Sequence, residues 1–139
     1  MTTSATFTCA ACGNVAATVT LVKPGQPDPN AAPEPAGAAR GVGSILSSAF
    51  PDQAHLSIDG GPVPVTHGFI PVEKCAAALD AGDAAALFAI NPEDAPFWCP
   101  RCSASYCGDD YRSWVTFDEG FYDATYGVCP EGHERELDD

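Results

Sequence analysis

The chain has 139 residues, 45% of them hydrophobic, which suits one domain with a modest core. Nineteen acids against six bases give a net charge of −13, with ten of the acids between Asp109 and Asp139. Such a field repels a phosphate backbone and argues against nucleic-acid binding, while the short, Ala-rich apolar runs argue against a membrane-spanning helix.

The opening "MTTSATFTCAACG" has neither the basic stretch nor the apolar core of a secretory signal. The expectation is a cytoplasmic protein whose thiols stay reduced, where seven cysteines point to metal ligation rather than disulfides. In "NVAATVTLV", Val15, Ala17, Val19 and Leu21 alternate with Ala16, Thr18 and Thr20, so a strand leaves the cysteine turn and runs to Val22. Residues 23–43 are rich in Pro, Gly and Ala with almost no large apolar side chain, and the expectation is a disordered loop within a single 1–139 domain. Order resumes at "SILSSAF".

Leu56 and Ile58, then Asp59-Gly60-Gly61, then Val63 and Val65 spell a hairpin, whose second strand Pro62 and Pro64 confine to a sheet edge. Pro71 at the first helical position and Gly82 past the end bracket one helix, and Asp83 caps a second, "AAALFAI", closed by Asn91-Pro92. From Phe97 onward lie nine of the thirteen aromatic residues. Ser113–Phe117 and Tyr122–Val128 read as strands joined by "DEGF", and a polar tail follows "CPEGH". The fold class is α+β, a small β-structure with a helical and hairpin insert.

The motif "FWCPRC" raises a choice between a redox dithiol and half a metal site. A redox pair needs a buried strand before it and a helix after it, whose N-terminus lowers the first thiol's pKa. "NPEDAP" precedes this motif and "SASYCGDDYRSW" follows it, which offers neither. A Cys-x-x-Cys turn sets two thiolates about a metal's width apart, and tetrahedral zinc needs two such pairs. "CPRC" at 99–102 and "CPEGH" at 129–133 are turns of that kind. Phe97–Cys102 with Val128–His133 resembles the paired knuckles of a zinc ribbon over roughly the last 40 residues, and "FTCAACG" adds a third knuckle of the same type. The resemblance implies a fold and a metal, not an activity. Three thiolates with one imidazole favour zinc over iron.

Two closed tetrahedral sites need eight donors, and Cys9, Cys12, Cys99, Cys102, Cys107, Cys129 and His133 make seven. One allocation joins Cys99, Cys102, Cys129 and His133, and completes Cys9, Cys12 and Cys107 with Asp110 of "CGDD". Pairs then join first to third and second to fourth, a cross-brace that resembles RING-like zinc domains without RING spacing, so no ligase activity carries over. The other allocation joins Cys9 and Cys12 with Cys99 and Cys102, leaving Cys107, Cys129 and His133 with an open, potentially hydrolytic position, and Asp109, Glu131 or Glu134 as base.

Cys75, on the face with Val72, Ala76 and Leu79, is expected to be a buried free thiol. His55 is expected to face solvent and His67 to sit in a turn, and either is an alternative source of the missing eighth ligand. The aromatics are expected to pack around the metal sites, with one or two left for a partner. The expected function is a structural-zinc module with one or two Zn2+, presenting an acidic surface to another protein with basic character. The alternatives are a zinc hydrolase and a thiol or zinc-responsive switch.

Overall fold

The computed structural model describes residues 3–26 and 53–138. The expected disordered loop lies largely outside them. Only its first residues are described, in a turn where the Gln26 N–H donates to the Lys23 carbonyl at 3.0 Å. The resumption of order at "SILSSAF" also falls outside.

The described residues form an α+β structure of three antiparallel sheets and two short helices. β1 (Thr3–Thr8), β2 (Val15–Val22), β3 (His55–Gly60) and β4 (Val65–Gly68) pair in sequence order as a four-stranded sheet. β4 begins only after Pro64 and is an edge strand, as the two prolines require. α1 (Val72–Asp80) and α2 (Ala84–Ile90) follow, then a short 3₁₀ turn at Pro92–Asp94. Pro71 is the N-cap of α1 rather than its first helical residue, and α1 buries Cys75, Ala78 and Leu79 while Val72 stays exposed. Asp83 caps α2 as expected, its Oδ1 accepting from the Ala86 N–H at 3.0 Å.

The helices and sheet share one core: Phe7, Val19, Leu21, Leu56, Ile58, Cys75, Leu79, Leu87 and Phe97 are all buried. Phe7 stacks on Phe97 at 4.9 Å, which joins the first strand to the segment leading into "WCPRC". His55 corrects an expectation. It is only 3% exposed, because β3 is a central strand buried on both faces, so alternation does not mark a wet side there.

The short pair β5 (Trp98–Cys99) and β6 (Ala104–Ser105) leads to the third sheet, β7 (Arg112–Asp118), β8 (Phe121–Val128) and β9 (Glu134–Asp138). The expected polar tail after "CPEGH" is in fact β9, paired with β8 and anchored by the fully buried Leu137. β1 was likewise not expected as a strand; its polar "TSATFT" buries only Phe7.

Candidate metal centres

Each cysteine pair sits where a strand ends, because a strand's last residue fixes the direction of the turn that follows. Cys99 ends β5, and Cys102 lies in the turn to β6. Cys129 follows β8, and His133 immediately precedes β9. These four donors lie within 4.8 Å of one another. His133 Nδ1 is 3.5 Å from Cys99 Sγ, 3.2 Å from Cys102 Sγ and 3.5 Å from Cys129 Sγ, and Cys102 and Cys129 sulfurs are 3.8 Å apart.

Cys9 and Cys12 occupy the turn between β1 and β2, and Cys107 and Asp110 the turn between β6 and β7. Their donors also lie within 4.8 Å of one another. Asp110 Oδ2 is 3.1 Å from Cys9 Sγ and 2.9 Å from Cys107 Sγ, while Cys12 and Cys107 sulfurs are 3.5 Å apart. The eight candidates therefore meet as two tetrads, first pair with third and second with fourth. The grouping of Cys9 and Cys12 with Cys99 and Cys102 is not the one the chain adopts. Each tetrad can hold a metal ion.

Two knuckles share a backbone pattern. The Cys9 carbonyl accepts from the Gly13 N–H at 3.0 Å and its N–H donates to the Asn14 carbonyl at 2.7 Å. Cys129 does the same with Gly132 at 2.9 Å and His133 at 3.0 Å. Gly13 at φ +77° and Gly132 at φ +89° close these turns in the left-handed region that favours glycine. The first knuckle is held to the third segment by the Ala10 N–H, which donates to the Ser105 carbonyl at 2.9 Å.

The same turns aim N–H groups at sulfur. Burial alone would raise the Cys9 thiol, but backbone hydrogen bonds from Cys107, Cys12 and Ala11 hold it below its ordinary value. Burial is likewise outweighed at Cys129 by hydrogen bonds from the His133 and Glu131 backbone. Their neighbours go the other way. Cys107 is pushed up to about 12 by its hydrogen bond to Asp110, by burial and by the adjacent Cys12 and Cys9. At Cys102 a hydrogen bond from Tyr106 lowers the pKa, yet burial and the thiols of Cys99 and Cys129 carry it to about 11. Hydrogen bonds from Cys107 and Cys9 hold the Asp110 carboxyl below the usual carboxylate range. In each tetrad, then, one thiol is held low and a neighbouring thiol is pushed high.

Around the tetrads, Cys9, Ala16, Cys99, Tyr106, Tyr111, Cys129 and Leu137 form a second buried cluster. The expected aromatic packing holds for Tyr106 and Tyr111, which meet edge to face at 5.9 Å. It fails for Trp114, Phe117, Phe121 and Tyr122, which are exposed. An open depression of about 280 Å3 is lined by Asp110 of one tetrad and Cys129 of the other, with Arg112 and Pro130 beside them.

Cys75 is fully buried as expected, and burial followed by the nearby Asp94 charge pushes its thiol up to about 11. Neither His55 nor His67 joins a tetrad. His67 lies on β4, its Nδ1 2.5 Å from Asp94 Oδ1, a pairing for which the sequence holds no short-range signal. Among the described residues no helix is long and apolar enough to cross a membrane.

Residues 1–139 match the family described as "Domain of unknown function (DUF8328)", and the chain belongs to it. No curated protein and no solved structure matches the chain.

Proposed function

We propose that this member of the DUF8328 family is a cytoplasmic structural-zinc protein of zinc-ribbon type. One Zn2+ is held by Cys99, Cys102, Cys129 and His133, and a second by Cys9, Cys12, Cys107 and Asp110. The donor spacing in the first tetrad carries this reading. Zn–S bonds near 2.3 Å and Zn–N bonds near 2.0–2.1 Å, at the tetrahedral angle, set sulfurs about 3.8 Å apart and sulfur about 3.5 Å from nitrogen. The chain has 3.8 Å between Cys102 and Cys129 and 3.2–3.5 Å from the three sulfurs to His133 Nδ1. In the second tetrad the spacings of 2.9–3.5 Å are tighter, so the four donors would move apart slightly around an ion. None of the seven cysteines is joined in a disulfide, which suits a reducing compartment.

Zinc here supplies stability rather than chemistry. It ties segments far apart in sequence and fixes an acidic surface with exposed aromatic side chains, which suits a partner protein with basic character. Zinc per chain, measured by native mass spectrometry, tests this. Two ions are expected in the parent protein and one in each of Cys9→Ser and Cys129→Ser. A parent protein that carries no zinc overturns the proposal, and one that keeps both ions in Cys9→Ser removes the second site from it.

A further inference from the structure

The edges of the sheets are not alike. β9 is laden with charge, Glu134, Arg135, Glu136 and Asp138, and β4 is short and preceded by proline. β1 is built mostly of Thr, Ser and Ala, with little apolar surface to offer. Charge along the strand, shortness and proline are ordinary ways in which an edge strand is kept from pairing with another chain. β7 is neither short nor interrupted by proline, and it carries charge only at its two ends. It is the outer strand of the third sheet, and among the described residues its free edge has no partner. Between Arg112 and Asp118 the sequence is "SWVTF", five residues with no charge, proline or glycine, four of them of high strand propensity. Trp114 is 39% exposed, Val115 47% and Phe117 69%. Nor is the strand bent away. Thr116 faces Ala124 and Phe117 faces Tyr122, so the irregular extra residue, Asp123, lies on β8 and β7 stays regular.

We propose that β7 is a self-association edge, at which two copies of this chain pair antiparallel, strand to strand, to merge two three-stranded sheets into one of six. Charge selects a second copy as the occupant. The only charged residues of β7 are Arg112 at its start and Asp118 at its end. With Val115 opposite its own counterpart, Arg112 lies across from the partner's Asp118, and Asp118 across from the partner's Arg112. Trp114 then faces the partner's Thr116, and Ser113 the partner's Phe117. Val115 meets its counterpart directly, and the two Trp114 side chains, like Phe117 and the partner's Val115, become diagonal cross-strand neighbours within reach of large side chains. A parallel arrangement, or a slip in register, separates the opposite charges.

The net charge of −13 per chain opposes this association at long range, whereas the strand contacts are short-range. Added salt screens the first far more than the second, so dimerisation strengthens with salt. A basic partner held at the same edge by the acidic field would instead be lost as salt rises.

The test is sedimentation velocity of the full, metal-loaded chain over about a hundredfold range of concentration, at low and high salt. The expected result is reversible growth to twice the 14.4 kDa chain mass, more complete at high salt. Arg112→Asp and Asp118→Arg each place like charges opposite one another twice per dimer, and each weakens association by about tenfold or more. The double variant Arg112→Asp with Asp118→Arg restores the pairing and the dimer. Val115→Lys, with two ammonium groups meeting on the two-fold axis, abolishes it. Near-UV circular dichroism and metal content confirm that each variant is folded, and the double variant guards against misreading a folding defect. A chain that stays monomeric throughout overturns the proposal. So does a dimer that the charge reversals and Val115→Lys leave intact. This inference does not rest on the identity of the metal, so its failure and that of the zinc reading are separately visible.

Discussion

Arg135 shows how a strand with one apolar residue can be held in place. Its guanidinium donates to the carbonyls of Ala95 at 2.9 Å, Trp98 at 2.7 Å and Pro92 at 2.9 Å, and stands 5.0 Å from the Phe88 ring. Two nitrogens of a rigid fork share these three convergent carbonyls, a spread that the single ammonium of a lysine does not reproduce. Asp94 is a different case. It is fully buried, its Oδ2 has no hydrogen-bond partner among the described residues, and burial raises its pKa against the opposing hydrogen bond and charge of His67. A carboxyl raised in the folded state contributes stability that is complete below its unfolded pKa, near 3.8, and is lost as pH rises through the folded value. Asp94→Asn lacks that titration. The urea midpoint of the variant relative to the parent is therefore expected to climb as pH rises from about 3.8 towards neutrality. A flat or falling difference would sink the argument.

Most elements were legible because their signals are local. Asp83 capping α2, Pro64 shutting the start of β4 and Glu119-Gly120 turning β7 into β8 each act over a few residues. β9 was not, because "ERELD" has a single apolar residue and its place is set by pairing with β8 and by the carbonyls of Pro92, Ala95 and Trp98 that Arg135 meets, far away in sequence. His55 failed for the same reason, since burial on both faces of β3 is decided by the sheet and not by the strand. The cysteine pairs were legible as turns, and the missing eighth donor could be counted to Asp110. That His67 would meet Asp94 instead of a metal could not be read from spacing. One contact binds the insert to the second tetrad. A Cβ on Gly108, beside Cys107, would come within 2.5 Å of the Gly61 carbonyl oxygen in the β3–β4 turn. Backbone on both sides leaves no flexible atom to yield. Gly108→Ala is expected to lower stability by about 1–3 kcal/mol and to weaken metal retention at Cys107 and Asp110, both readable from urea titration followed by metal analysis. Parent-like values in both would show that the turns can separate freely.

Across the whole molecule the two tetrads differ in access. Cys12 is exposed, whereas Cys99 and Cys129 are buried against Tyr106, Tyr111 and Leu137. A strong chelator is therefore expected to remove metal in two phases, the Cys9, Cys12, Cys107 and Asp110 site first. In Cys9→Ser only the slow phase should remain, and loss of near-UV dichroism from the buried tyrosines should follow that phase. Release in a single phase from the parent protein, with both ions bound, would contradict the difference in burial.

The interleaving of the four pairs also has a consequence in time. Cys102 and Cys129 are 27 positions apart, but Cys12 and Cys107 are separated by 95. On a ribosome that adds about 5–20 residues per second, the first knuckle emerges roughly 5–20 seconds before its partners are made. During that interval Cys9 and Cys12 stand without the other half of their tetrad. The second and fourth pairs, by contrast, emerge almost together. The site most open in the finished protein is thus also the one left waiting longest during its synthesis.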